Sequence, residues 1–361
     1  MTVLLSPHEI RALQPQWARL YDVSGCANAF LHPAWCVSWI DCYQPPEVRV
    51  LVEHDDGGAL DVLAAFTASG SGGRHWSTLG APFVDFGTPL VAPGLHCPDA
   101  LTELLRTHRS RWRFVRLSGL DESLARALTD GRPRSGVEFR IVDSETCPRI
   151  SVPSFDAWAS SLPGSRWKRL AAVRRRVENC PDTRYLVVED PVDIGRAVRS
   201  FDALRLQSWW NRGRLRQLAP PVRSVSHLAF LRMAVGRMAA AGVASVVELR
   251  VGTRLVAASV LFWTPSAVLV ALKATDTRLG SSMSPGLALD IFTIELAAQR
   301  GVTRVEFGRG DERYKFVLGA QQRMTHHVIA MSSGARLPLL CDTARRKTNE
   351  AAYAWRMRRS S

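Results

Sequence analysis

Between residues 267 and 319 the chain gathers the side chains best able to do chemistry. Tyr314 and Lys315 stand side by side, in a protein with 5 tyrosines and lysines only at positions 168, 273, 315 and 347. Where nearly every other cation is arginine, a lysine is expected where a compact ammonium fits and a planar fork does not. Lys315 can neutralise a phosphate or a carboxylate, or hold a carbonyl; its plainer account is a solvated helix lysine. Glu306 and Asp311 bracket a turn containing Gly308 and Gly310. A carboxylate at such a strand end can take a proton from an incoming amine, directly or through water. Glu306 can equally pair with Arg309, and the two glycines answer to the positive φ of a tight turn. Upstream, Ser284-Pro285-Gly286 closes a Gly/Ser-rich stretch and opens a helix with proline at its first position. The free N–H groups and positive dipole end of that helix suit a pyrophosphate.

To position these groups the chain needs a strand, a loop, a helix, a second strand and a short helix, in that order. The pattern predicts them at 267–273, 274–284, 285–300, 302–307 and 312–318, with a further strand at 326–331. Before them, a helix from about 165 to 178 carries Lys168, Arg169, Arg175 and Arg176 on one face and Leu170, Val173 and Val177 on the other. Strands at 185–189, 245–251 and 255–263 and helices at 193–210 and 226–241 complete this half. The first half alternates helices (7–21, 33–43, 99–108, 122–129) with extended runs (48–52, 60–66, 114–117, 138–142). Asp55-Asp56-Gly57-Gly58 is a strong hairpin turn between two of those runs. Pro148 and Pro153 interrupt the pattern, so a boundary is expected there. The expected organisation is α/β, with domains at 1–150 and 151–335 and an Arg-rich helix at 336–361.

The 361 residues are 46% hydrophobic and 22% charged, which excludes global disorder. The formal charge is +14, almost all of the excess being arginine. A GC-rich coding sequence also produces such a bias, yet a basic protein still attracts polyanions: tRNA, a membrane surface or a nucleotide cofactor. No apolar run reaches the roughly 18 residues of a membrane span. Ser6-Pro7-His8-Glu9 reads as a capping box rather than a secretory leader, so a cytoplasmic location is expected. The 7 cysteines are scattered without a C-x-x-C pair, and the histidines show no ligand spacing, so no metal is expected.

The order strand, phosphate loop, helix, strand, tyrosine-bearing helix is that of GNAT-type acyl-CoA transferases. Ser284-Pro285-Gly286, the run 301–311 and Tyr314-Lys315 resemble the signature of acetyltransferases associated with bacterial cellulose biosynthesis, D-F-x-x-G-x-x-x-Y-K-x-x-W. Glu306 replaces the Asp of that pattern and Leu318 its Trp. The basic helix 166–176, Trp209 and Asp276 also sit where these proteins carry Arg-rich, Trp and Asp positions. A more distant resemblance is to Fem-type aminoacyl-tRNA-dependent transferases, built from two GNAT-like domains.

What the resemblance implies is two GNAT-like domains, each a mixed central sheet flanked by helices, with an acyl-CoA site in the second. Tyr314 would protonate the departing thiolate, Glu306 or Asp311 would be the base, and Lys315 would assist. Ser284, Pro285, Gly286, Arg166 and Arg169 would contact acetyl-CoA or another acyl-CoA. Lys273, Asp276, Trp209 and Asp85 would line the substrate, a small-molecule or glycan-precursor amine in the cleft between domains. Each has a plainer account: a tyrosine packed on the sheet, a solvated basic face, an Asp in a turn. Two rival functions remain open at this point, a Fem-like transferase taking its acyl group from aminoacyl-tRNA and a non-catalytic protein that binds through its basic surface.

Overall fold

The hairpin marked by Asp55-Asp56-Gly57-Gly58 forms as expected, joining β2 (Val48–His54) to β3 (Leu60–Ser69). Asp55 fixes the turn by accepting the Ala59 N–H on its own carboxylate at 2.7 Å. In this computed structural model the described residues are 2–332, apart from 6, 27, 82, 131–135, 212–224 and 280–282. The expected helix 336–361 lies outside them.

Two mixed sheets result. The first runs β1 (Thr2–Leu5), β2, β3, β4 (His75–Thr78), β6 (Phe114–Asp121), β14 (Met324–Ser332), β7 (Val137–Thr146), with β5 (Leu90–Val91) beside β3. The second runs β8 (Arg149–Ser151), β13 (Arg304–Glu306), β12 (Ala267–Thr275), β11 (Arg254–Trp263), β10 (Ala244–Val251), β9 (Thr183–Val188). The last described strand therefore returns to the first sheet, inserting between β6 and β7. The stretch 151–335, expected as one unit, contributes its final strand to the other sheet, and the second sheet takes its edge strand from Arg149 onward.

Helices α2 (Gln14–Val23), α3 (Pro33–Tyr43), α8 (Pro191–Asn211) and α9 (Val225–Ala240) fill the space between the sheets. Their shared core joins Phe30 and Trp35 of the first half to Phe230 and Phe262 of the second. Trp35 meets Phe230 edge-on at 4.8 Å and Phe262 at 5.4 Å, contacts each contributing about 0.5–1.5 kcal/mol beyond area burial. The halves are thus held by a buried aromatic seam.

On the far face of the second sheet pack α6 (Phe155–Ser161), α7 (Gly164–Glu178) and α10 (Pro285–Gln299). α7 is the basic amphipathic helix expected: Leu170, Val173 and Val177 are buried, Lys168, Arg169, Arg175 and Arg176 exposed. α10 is apolar on nearly every side and accordingly buried on most of them. The short α11 (Arg313–Val317) follows β13. No helix among the described residues is long and apolar enough to cross a membrane.

Candidate active site

The site is built where two parallel strands part. β12 and β13 pair at Ala267↔Arg304, Val268↔Val305 and Leu269↔Glu306, after which β12 leaves β13 and runs on to Thr275 paired only with β11. A bulge marks the open stretch: Val260 pairs with Leu272 and Leu261 with Val270, leaving Ala271 as the extra residue.

The start of α10 closes over the open end. Ser284, at φ 45°, is its left-handed N-cap and makes no side-chain cap bond. Pro285 has no N–H, and those of Leu287 and Ala288 donate back to the Ser284 carbonyl, which leaves the Gly286 N–H as the first-turn donor facing outward. Gly286 also has a packing role, because a Cβ there would lie 2.5 Å from Thr275 Cγ2. Gly286→Ala is expected to destabilise the fold by about 1–3 kcal/mol, as overpacking does. Thr275→Ser removes the clashing methyl and should recover much of that loss. Urea unfolding of both single variants and the double variant measures it, and an equal Gly286→Ala cost in either background would refute the close-approach account.

Deeper along α10, Asp290 is buried and its Oδ2 accepts from Lys273 Nζ at 2.7 Å. Its other oxygen has no partner among the described residues. The Lys273 ammonium lies 3.3 Å from the Tyr314 ring centroid, a close cation–π contact, and Phe307 meets that ring edge-on. Burial pushes Lys273 below and Asp290 above their ordinary values, each opposed by the other's charge. Burial, reinforced by the Asp290 and Glu312 charges, raises the Tyr314 phenol far above its usual value, so it keeps its proton. Arg166 of α7 reaches the Phe316 carbonyl at 3.4 Å, fixing α11 beside this group, while Arg169 points to solvent. Lys273, Asp290, Tyr314, Arg166 and the Ser284-Pro285-Gly286 helix start therefore share one face of the sheet.

Glu306 does not share that face. Its register partner Leu269 lies in the core facing the first half, whereas Lys273 faces α10. Glu306 is 5% exposed, one carboxylate oxygen is 3.7 Å from Arg323 Nη1, and the other has no partner among the described residues. Burial lifts its carboxyl above the usual range, with Arg323, Arg149 and Arg304 pulling the other way. A pair between Glu306 and Arg309 does not form. Arg309 instead donates to Asp85 Oδ1 at 2.6 Å and lies 3.3 Å from Glu145, whose carboxylate is 3.1 Å from His327 Nε2. Asp85, a candidate from the first half, thereby sits against Gly308, leaving no room for a Cβ there.

Lys315, adjacent to Tyr314, turns the other way. It is 1% exposed, and Nζ contacts the carbonyls of Arg309 at 2.9 Å, Gly310 at 3.0 Å and Gly308 at 3.4 Å, and Glu312 at 2.8 Å. Its donors are committed to the turn. Asp311 is exposed. Asp276 is buried and binds both Arg278 and Arg254; the Arg278 contact chiefly holds its carboxyl well below the usual range. Trp209 is half-buried on α8, which packs the face opposite α10. The sequence reading missed Asp290, although a carboxylate inside an otherwise apolar helix is itself a signal, since charged residues are rarely fully buried without a partner.

Residues 164–316, from α7 through most of α11, match the model of the family described as acetyltransferase (GNAT) domain. No curated protein matches the chain in sequence. The fold is similar to that of FemX, at 9% identity over 92% of this chain and 97% of that one, with a TM-score of 0.57. It is similar to L-PGS from Bacillus licheniformis, at 12% identity over 98% and 96% with a TM-score of 0.54. A third likeness is to a conserved protein of unknown function from Bacteroides thetaiotaomicron, at 11% identity over 92% and 100% with a TM-score of 0.59. At these identities the likeness is one of fold. The stretch that matches the acetyltransferase (GNAT) model thus contains the parted strands and the Lys273–Asp290–Tyr314 group.

Proposed function

We propose that the protein is an acyl-CoA-dependent N-acyltransferase, using acetyl-CoA or a related thioester and acting on the amine of a small molecule or glycan precursor. The observation that carries this reading is the gap between β12 and β13, with the α10 start at its open end and Tyr314 along it. The pyrophosphate would rest at Gly286 and Ser284, and the thioester would run into the gap towards Tyr314. In aminolysis the amine nitrogen bonds to the carbonyl carbon, the C–S bond breaks, the amine gives up a proton and the thiolate gains one. Tyr314, protonated by its burial, supplies the second proton. Glu306 stands at the vertex of the gap, on the face shared with the first half, and is the base for an amine arriving from the side of Asp85 and Arg309. Lys315 shapes the turn that presents that side. The motif at 306–315 makes the cellulose-biosynthesis-associated branch the relative whose chemistry this most resembles.

A second reading, an aminoacyl-tRNA donor, draws on the exposed basic face of α7 beside α11. Thermal unfolding with acetyl-CoA, longer acyl-CoAs and bulk tRNA separates the two. A ligand at a hundred times its Kd stabilises by about 2.7 kcal/mol. Stabilisation by a CoA thioester is expected; stabilisation by tRNA alone would replace the proposal with the second reading, and by neither would favour a non-catalytic protein.

A further inference from the structure

At the end of the first sheet where β6 begins, a cavity of about 290 Å³ is lined by Arg49, Gly72, Gly73, Arg74, Ser110 and Arg111. It is remote from the acyl site. β6 runs from this end to Asp121, beside the junction with the second sheet, and seven residue steps at about 3.3 Å put the two ends about 23 Å apart.

The walls come from three separate segments brought together by strand register. β2 starts beside the end of β3, and His75 of β4 pairs with Phe114 of β6. The glycine loop between β3 and β4 is tied down by Trp76, whose indole N–H donates to the Gly73 carbonyl at 2.9 Å, and by the Arg113 N–H, which donates to the Arg74 carbonyl at 2.7 Å. Gly72 and Gly73 adopt φ 68° and 63°; a Cβ on Gly72 would meet nothing closer than 3.9 Å, so the wall is bare backbone there, whereas one on Gly73 would run into the Glu47 carboxylate.

The charge is unbalanced. Arg49 pairs with Glu47, whose carboxylate lies against Gly73, but among the described residues neither Arg74 nor Arg111 has a carboxylate partner; Arg74 donates only to the Ser110 carbonyl, at 3.3 Å. Three guanidiniums and one carboxylate converge, in a protein where many other arginines are each matched to an acid, as Arg11, Arg126, Arg174 and Arg250 are. Burial chiefly, and then the Arg111 charge, lower the Arg49 pKa.

We propose that this cavity is a second binding site, separate from the acyl-transfer site, for a phosphate-bearing anion of pyrophosphate or phosphomonoester size. Planar forks arranged around a concave pocket match phosphate oxygens two at a time, which a diffuse basic surface does not. The site stands whether or not the acyltransferase reading does.

Isothermal titration of the full chain with inorganic pyrophosphate at constant ionic strength tests it. Saturable binding is expected, weakened about tenfold or more in Arg74→Gln/Arg111→Gln, which removes two charge-assisted contacts. The control Arg184→Gln/Arg199→Gln removes equal charge from exposed positions in the second half and should leave the affinity unchanged. Phosphatidylglycerol vesicles distinguish the phosphate's source: co-sedimentation that pyrophosphate competes away marks a lipid headgroup, whereas protein left in the supernatant marks a soluble phosphate compound. No saturable pyrophosphate binding, or equal weakening by both double variants, would overturn the site.

Discussion

Tyr314→Phe is expected to lower kcat by about 10²- to 10⁴-fold, the range a positioned general acid contributes, while the KM for acyl-CoA changes little. The separation of the two parameters follows from what the ring does. Its face carries the Lys273 ammonium and its edge meets Phe307, and phenylalanine preserves both contacts. Only the hydroxyl is removed, and with it the proton that the proposed transfer gives to the thiolate. Because burial holds the phenol far above its usual pKa, its deprotonation contributes no alkaline limb to the rate near neutrality. A basic limb in wild type that vanishes in Tyr314→Phe would contradict that. So would an unchanged kcat, which would leave the ring as packing and return the site to a binding role. Asp290→Asn provides a check on the platform: it removes the buried charge opposite Lys273 and should disturb Tyr314 placement, whereas Asp311→Asn, on an exposed loop residue, should not.

Local signals gave the elements, and long-range pairing decided what those elements do. The hairpin at Asp55-Asp56-Gly57-Gly58 was legible because its Asp and Gly residues carry the turn chemistry that reverses the chain. The start of α10 was legible because Pro285 and Gly286 are positional residues, one for helix entry and one for close approach. The strand at 326–331 was legible as a strand, yet nothing in its own alternation says that it pairs with β6 and β7 rather than with β13 next to it in sequence. That return places Glu145 and His327 beside Arg309, so the polar group at the junction of the sheets is assembled from four stretches of chain. The face reversal between Glu306 and Lys273 was equally hidden. It depends on strand parity at β13 and on the extra residue at Ala271, and a one-residue shift moves a side chain to the opposite face of a sheet.

The scarcity of lysine drew attention to Lys315, and the geometry changes what its replacement should do. Lys315→Met is expected to destabilise the protein by several kcal/mol, since each buried carbonyl left without a donor costs about 1–3 kcal/mol and three converge on this ammonium. Lys315→Arg should restore little. An ammonium of three donors fits the convergence of the carbonyls of residues 308, 309 and 310, whereas a guanidinium is planar, longer and would displace the turn at a position 1% exposed. The salt bridge to Glu312 is the minor part: Glu312 is 57% exposed, and Glu312→Gln should cost within about 1 kcal/mol. Neighbouring helical residues diverge by about 100°, so Lys315 holds the turn carrying Arg309 against Asp85 while Tyr314 faces Lys273 on the other side. Kinetics below the unfolding midpoint of each variant then separate shaping from chemistry. A displaced turn should raise the KM for the amine acceptor more than that for acyl-CoA. A fall confined to kcat, with stability equal to wild type, would place the ammonium at the thioester and remove the clamp.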